Sequence, residues 1–260
     1  MGTEQVTIGN TTLYCGDCFS VLPKLGMEAD AIITDPPFNC TNCKWDVPLP
    51  LDKFWTLMES QTKLSANYCL FATMRFAVDL INSRRKWFRY DLVWQKSKKC
   101  GFLNTGLMPM RNHESILVFG RPGFKTGATY NPIKSVGGRA GVRKTKRRGG
   151  VYRSVDGIEK YYDGKQHPCS VLPFRSEKDK GLHPTLKPIG LMEWIVRTYT
   201  DENDVVLDCF MGSGSTGVAC VKAGRRFVGI EQDKKYFDIA CKRIEKAHVE
   251  LGISGEVNYE

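Results

Sequence analysis

The sequence predicts an α/β fold with a mostly parallel sheet and helices on both of its faces. Three observations carry that prediction. Short apolar runs, partly β-branched, alternate with stretches of helical periodicity. Two such runs end on an aspartate followed by a turn that stops the strand, at Asp35-Pro36-Pro37 and at Asp208 before a glycine-rich segment. That glycine-rich segment lies between a run of strand character and one of helix character, a setting in which α/β folds bind ligands.

Taken in order, Thr11 to Gly16 reads as a strand, Phe19 to Leu25 as a short helix and Asp30 to Thr34 as the next strand, apolar at Ala31, Ile32 and Ile33. Two prolines then end any ladder or helix, so Asp35 stands at a strand tip on a stiff loop rich in acceptors. Leu51 to Ala66 sets Leu51, Phe54, Trp55, Leu57, Met58 and Leu64 at helical spacing. Asn67 to Thr73 is a strand, Arg75 to Lys86 a helix, and Asp91 to Gln95 and Ser115 to Phe119 are strands. Periodicity vanishes from Gly120, and Gly137 to Gly150 reads as a mobile, cation-rich segment. Pro188 suits the first turn of a helix over Ile189 to Thr200. Asp204 to Asp208 is a strand, Val218 to Ala223 a helix, Arg226 to Ile230 a strand ending on Glu231, and Lys234 to Val249 a closing amphipathic helix. Residues 251–260 read as a tail.

The chain of 260 residues has room for one sizeable core with an insertion. Its net charge of +10 is concentrated: residues 121–182 hold 15 lysines and arginines against 5 acids, the excess of the whole chain. Cations set beside glycines and flanked by Tyr130, Tyr152, Tyr161 and Tyr162 suit a polyanion with aromatic bases. No apolar run reaches the length of a membrane span and the first residues lack a basic, apolar leader, so no membrane partner and a cytoplasmic location are expected. Ten cysteines in such a compartment read as buried apolar residues. Cys15/Cys18 and Cys40/Cys43 form two C-x-x-C pairs, but a metal there would tie down the Asp35 loop, and no metal is expected.

Gly212, Gly214 and Gly217 satisfy G-x-G-x-x-G, with Glu231 ending the next strand. Alone this would favour a nicotinamide cofactor and a dehydrogenase. A carboxylate at Asp208, just before the turn, would repel a pyrophosphate and suits an ammonium group. S-adenosylmethionine has an ammonium, a sulfonium and a ribose, and no phosphate. A phosphate-binding loop is excluded because no lysine follows the glycines.

Asp35, the Pro36 carbonyl and the flat face of Phe38 form what an exocyclic amine on an extruded base needs: two acceptors and a stacking surface. Asp35-Pro36-Pro37-Phe38 resembles the catalytic motif of DNA amino-methyltransferases of the N6-adenine type. Tyr14-Cys-Gly-Asp-Cys18, His113-Glu-Ser-Ile-Leu117, His183-Pro-Thr-Leu-Lys-Pro188, the Asp208 to Gly217 block and Gly229-Ile-Glu231 follow the order of that family's beta group. The resemblance implies a Rossmann-like methyltransferase fold in circularly permuted motif order. It assigns 1–120 as the catalytic half, 121–182 as an inserted target-recognition region and 183–250 as the cofactor half.

By the same resemblance, Asp35, Pro36, Pro37 and Phe38 are catalytic. Asp208, Phe210, Gly212 and Gly214, with Ser213 and Ser215, lie at the methionine end of S-adenosylmethionine, Glu231 at its ribose, Asp17 and Cys18 at its adenine, and Thr185 and Lys187 near its carboxylate. Arg139, Arg143, Lys144, Lys146, Arg147 and Arg148 are the DNA-binding candidates within the basic insertion. The implied activity is methylation of adenine N6 in double-stranded DNA by base flipping and direct displacement, with cytosine N4 as the alternative. A homodimer and a cognate restriction endonuclease are the further partners such a protein would have. Cys209 and Ser215 stand where the family often has proline and threonine, and Phe38 replaces the commoner tyrosine, which keeps stacking and loses a hydroxyl.

Overall fold

Strands buried on both faces must be continuously apolar, and this requirement sets the centre of the molecule. The computed structural model describes residues 4–40, 43, 46–123, 128–144, 159–177, 186–252 and 257–259. In chain order the elements are β1 (Glu4–Ile8), β2 (Thr11–Cys15), α1 (Cys18–Val21), β3 (Ala29–Thr34), α2 (Leu51–Ser60), β4 (Thr62–Ala72), α3 (Met74–Ser83), β5 (Phe88–Cys100), β6 (Arg111–Phe119), β7 (Ser135–Lys144), β8 (Glu159–Gln166), β9 (Val171–Leu172), α4 (Ile189–Tyr199), β10 (Val205–Asp208), α5 (Ser215–Ala223), β11 (Arg226–Glu231), α6 (Lys234–Glu250) and β12 (Val257–Tyr259). A ten-stranded sheet runs in the order β12-β1-β2-β11-β10-β3-β4-β6-β5-β9. Its middle, from β2 to β4, is parallel throughout. The β4, β6 and β5 strands then pair antiparallel, as do β2, β1 and β12 at the other edge.

Helices cover both faces. Residues of α4, α5 and α6 build one apolar layer with Ala31 and Val206, whereas residues of α2 and α3 build the other with Ile32 and Leu207. Alternate side chains of β3 and β10 thus feed opposite cores, as the two-residue period of a strand requires. Among the described residues no helix is long and apolar enough to cross a membrane.

The structure departs from the sequence reading at several elements. The helix expected over Leu51 to Ala66 stops at Ser60, because Thr62 begins β4 and Leu64 points to solvent. The helix over Phe19 to Leu25 splits into α1 and a 3-10 turn at Leu22–Lys24, where Pro23 takes an N-terminal position. The tail contains β12, which pairs with β1. The cation-rich segment is partly ordered: β7 and β8 form an antiparallel ribbon, with Gly137 and Gly141 at positive φ.

The chain divides into two compact units, Met1–Asn131 with Ser170–Glu260, and Pro132–Cys169. The smaller unit is narrower than the 121–182 expected from charge. Asn131 donates from its side chain to Thr200 O at 3.1 Å and to Asp201 Oδ1 at 2.8 Å, which ties the approach to it into the larger unit. Beyond it, β9 pairs with β5.

Candidate active site

Because β3 and β10 lie side by side and parallel, the two aspartate-bearing strand tips come together. Thr34 Oγ1 donates to Asp208 Oδ1 at 2.6 Å and Thr216 Oγ1 to Oδ2 at 2.5 Å, while the Phe210 amide reaches Oδ1 at 3.2 Å. Asp208 is 2% exposed. Burial pushes its carboxyl up to about 6, against the pull of these three donors. The aspartate expected to face an ammonium therefore also joins the β3 tip to the start of α5.

The turn after β10 is shaped by glycine. Gly212 and Gly214 sit at φ +51° and +78°, and a Cβ on Gly214 would lie 2.9 Å from the Ala240 methyl. Glu231, at the tip of β11, accepts the Gly212 amide at 2.9 Å and the Asp233 amide at 2.8 Å. Burial raises its pKa and the two amides lower it, the balance lying above the ordinary value. Arg243 on α6 donates to Ser213 O at 2.5 Å and to Ser213 Oγ at 3.0 Å, bracing the turn from outside. The Gly16 amide donates to Glu231 O at 2.9 Å and so sets Asp17 and Cys18 beside this turn.

Asp35 is engaged on one side only. Lys187 Nζ lies 2.5 Å from Asp35 Oδ2 and 3.3 Å from Glu114 Oε2, and Lys96 pairs with Glu114 as well. Asp35 Oδ1 is buried without a hydrogen-bond partner among the described residues. Burial raises the Asp35 pKa, and Lys187 only partly offsets it. Burial also opposes charge on Lys187 and Glu114, but their opposite-charge neighbours win, so the Lys187 pKa is raised and that of Glu114 lowered. Past the prolines, Phe38 packs 5.4 Å from Phe76 between ring centroids. Asp46 then accepts the amides of Asn39 and Cys40 at 2.6 and 2.9 Å, which closes the loop.

One cleft of about 520 Å³ joins these parts. Its wall carries Asp35, Pro36, Pro37 and Phe38, with Lys187 and Glu114, and also Asp17, Cys18, Asp208, Phe210, Gly212, Ser213, Ser215 and Glu231. Gly214 supports the turn by packing on Ala240. Thr185 lies outside the described residues, and Lys187, expected at a ligand carboxylate, is held by Asp35 and Glu114. Of the cationic candidates, Arg139 is exposed on β7, Arg143 and Lys144 continue that strand, and Lys146, Arg147 and Arg148 lie outside the described residues. Among the described residues no three His, Cys, Asp or Glu side chains are placed to share a metal ion.

The sequence reading gave no role to Glu114, Lys96, Asp46 or Arg243. Glu114 did stand inside the His113 to Leu117 block, a charge shortly before the apolar run Ile116 to Phe119.

Comparison with known proteins agrees with this geometry. A family model described as DNA methylase, of the N6/N4 type, matches residues 29–242. The Type II methyltransferase M2.LlaDCHI of Lactococcus lactis subsp. cremoris is 41% identical over 108 residues, 40% of either chain. M2.DpnII of Streptococcus pneumoniae is 42% identical over 107 residues, again 40% of each. The matches thus span well under half the length of these curated relatives. The crystal structure of the M1.HpyAVI-SAM complex superimposes with a TM-score of 0.63 at 25% identity, covering 90% of this chain and 99% of that one. With its Asp35 loop and glycine turn meeting in one cleft and a family match across most of its length, the chain belongs to the N6/N4 DNA methylase family.

Proposed function

We propose that this protein methylates the N6 amine of adenine in double-stranded DNA, with S-adenosylmethionine as donor and the base swung out of the helix. The observation that carries the reading is Asp35 Oδ1, a buried acceptor with no partner among the described residues, in the same cleft as the glycine turn. The cleft volume lies within the usual range for small-ligand sites, roughly 300–1,000 Å³. The residues fit the donor. Glu231 keeps lone pairs beyond its two backbone contacts for ribose hydroxyls, and Gly212 offers backbone without a side chain. Asp208 lines the cleft as an anion for the ammonium.

When bound, S-adenosylmethionine supplies a methyl group made electrophilic by its sulfonium. The chain does the rest by positioning. Asp35 Oδ1 and the Pro36 carbonyl accept the two N–H bonds of the amine, which draws its lone pair out of conjugation with the ring. Phe38 gives the base a face to lie on. As the nitrogen gains its new bond, Asp35 takes the surplus proton, a task its raised pKa favours. Lys187 stays protonated and offsets the charge of Asp35 before that transfer. The cations of residues 121–182 would hold phosphates; Arg139, Arg143 and Lys144 on β7 share a ribbon with Tyr161 and Tyr162 on β8. The methyl mark would shield DNA from a companion restriction endonuclease, and a homodimer, readable by sedimentation velocity, is the assembly we expect.

Incubation with radiolabelled donor and unmethylated DNA, followed by nucleoside digestion, should yield N6-methyladenine. Label in N4-methylcytosine would move the target to cytosine, and no incorporation would remove the reading. Asp35→Ala should abolish transfer while donor binding, measured by calorimetry, persists. Near-normal turnover in that variant would strip Asp35 of its role.

A further inference from the structure

Where the cleft wall ends on Cys100 and Arg111, the β5–β6 hairpin continues into a tip that no part of the proposed chemistry uses. The tip holds four large apolar side chains in solvent: Phe102 is 76% exposed, Leu103 92%, Leu107 86% and Met108 57%. Such a cluster is costly on a free surface unless something covers it. It is also built to keep its shape. Phe102–Asn104 forms a 3-10 turn, the Leu107 and Met108 amides both donate to Asn104 O at 2.9 and 3.0 Å, and Gly101 enters at φ +88°. The apolar knob is therefore ordered before any partner arrives.

Charge identifies the partner. The roots of the knob carry Lys98, Lys99 and Arg111, all exposed, and no acid occurs between Asp91 and Glu114. A second copy related by two-fold symmetry would bring like charges together around the apolar contact. A nucleic acid offers phosphates to the cations and stacked bases to the apolar tip. Lys98 and Arg111 also line the cleft that holds Asp35, so the knob and the candidate catalytic loop border one continuous surface.

We propose that this tip, Phe102 and Leu103 above all, is a wedge that enters the base stack of duplex DNA and takes up space left by the extruded target. The proposal rests on the base-flipping reading above and adds the element that drives the extrusion. Unstacking is the expensive part of base flipping, and inserted apolar side chains are a known physical means of meeting that cost.

The test uses the full chain and the double variant Phe102→Ser, Leu103→Ser, whose changes lie on exposed positions. Sequencing of DNA from cells expressing the protein first maps the modified site; if no site is modified, the methylation reading itself fails. A duplex with 2-aminopurine at the mapped position then reports extrusion by fluorescence. The unaltered protein should raise the signal and the variant should not. Methyl transfer to the matched duplex should fall by roughly tenfold or more, and should return to within about twofold when the target adenine is mispaired, because a mispaired base is cheaper to extrude. An undiminished fluorescence rise in the variant, or an equal loss on matched and mispaired duplexes, would overturn the wedge. So would a variant that turned a dimeric protein monomeric in sedimentation without DNA, since the knob would then join two copies.

Discussion

Asp208→Asn should stabilise the protein near neutral pH while weakening its hold on the donor. Asp208 is buried with three hydrogen-bond donors and, among the described residues, no paired cation. Its pKa rises from 3.8 to about 6, and at about 1.36 kcal/mol per unit this corresponds to roughly 3 kcal/mol. The sign follows from linkage. A carboxyl whose folded pKa is raised contributes stability fully below the unfolded value of 3.8, and that contribution is lost as pH climbs through about 6. Asparagine carries no charge at any pH in this window and keeps an oxygen for Thr34 and Phe210, while the Thr216 hydroxyl can rotate to accept its amide. Urea unfolding of both proteins between pH 4 and pH 7.5 measures the difference. The variant's advantage should grow by up to about 3 kcal/mol across that range. Calorimetry at pH 7.5 should show weaker donor binding, because the anion facing the ammonium is gone. Parallel stability curves for the two proteins would refute the burial argument, and unchanged donor affinity would remove Asp208 from the donor site.

Three further outcomes follow from the same geometry. Lys187→Met leaves Asp35 buried beside Glu114 without its cation, and should cost about 3–5 kcal/mol of stability; the acid limb of the pH–rate profile, which needs ionised Asp35, should move to higher pH, and an unmoved limb would contradict the pairing. Gly214→Ala forces a side chain into φ +78° and to 2.9 Å from Ala240 Cβ, so chemical denaturation should show a loss of about 2–5 kcal/mol from backbone strain and overpacking. Neutralising Lys144, Lys146, Arg147 and Arg148 should flatten the logarithmic salt dependence of duplex binding by roughly 3 to 4, near 0.9 per lost phosphate contact; an unchanged slope would take that cluster out of the interface.

The parallel core was legible because its signals are local. Apolar runs of strand length, stopped by Pro36 and Pro37 or by Gly212, need no distant partner to be read. The observed β2-β11-β10-β3 order sets the Asp208 strand beside the Asp35 strand, and β2 beyond the Glu231 strand. The edges were harder. β1 alternates buried and half-exposed residues and meets β2 across Gly9-Asn10, a two-residue hairpin link that the sequence does display. β9 and β12 have only two and three residues, too few for a period to register. The β7–β8 ribbon escaped notice because its glycines and exposed valines break the alternation by which a half-buried strand is recognised.

The candidate site divides along the same line. Asp35 to Phe38 and the glycine turn declare themselves because backbone chemistry at each position is restrictive. Pairings across the fold do not, and Lys187 shows why. Its partner Asp35 lies 152 residues away, and a lysine's sequence neighbours say nothing about which carboxylate it will find. Burial decides: at 7% exposure the ammonium must lie against anions, and Asp35 and Glu114 are both within 3.3 Å. With Lys96 on Glu114, two cations face two carboxylates, so Asp35 can be ionised without leaving net charge inside the fold. Of the three protons on the Lys187 ammonium one is donated to Asp35 Oδ2, while Glu114 Oε2 stands at ion-pair distance, 3.3 Å.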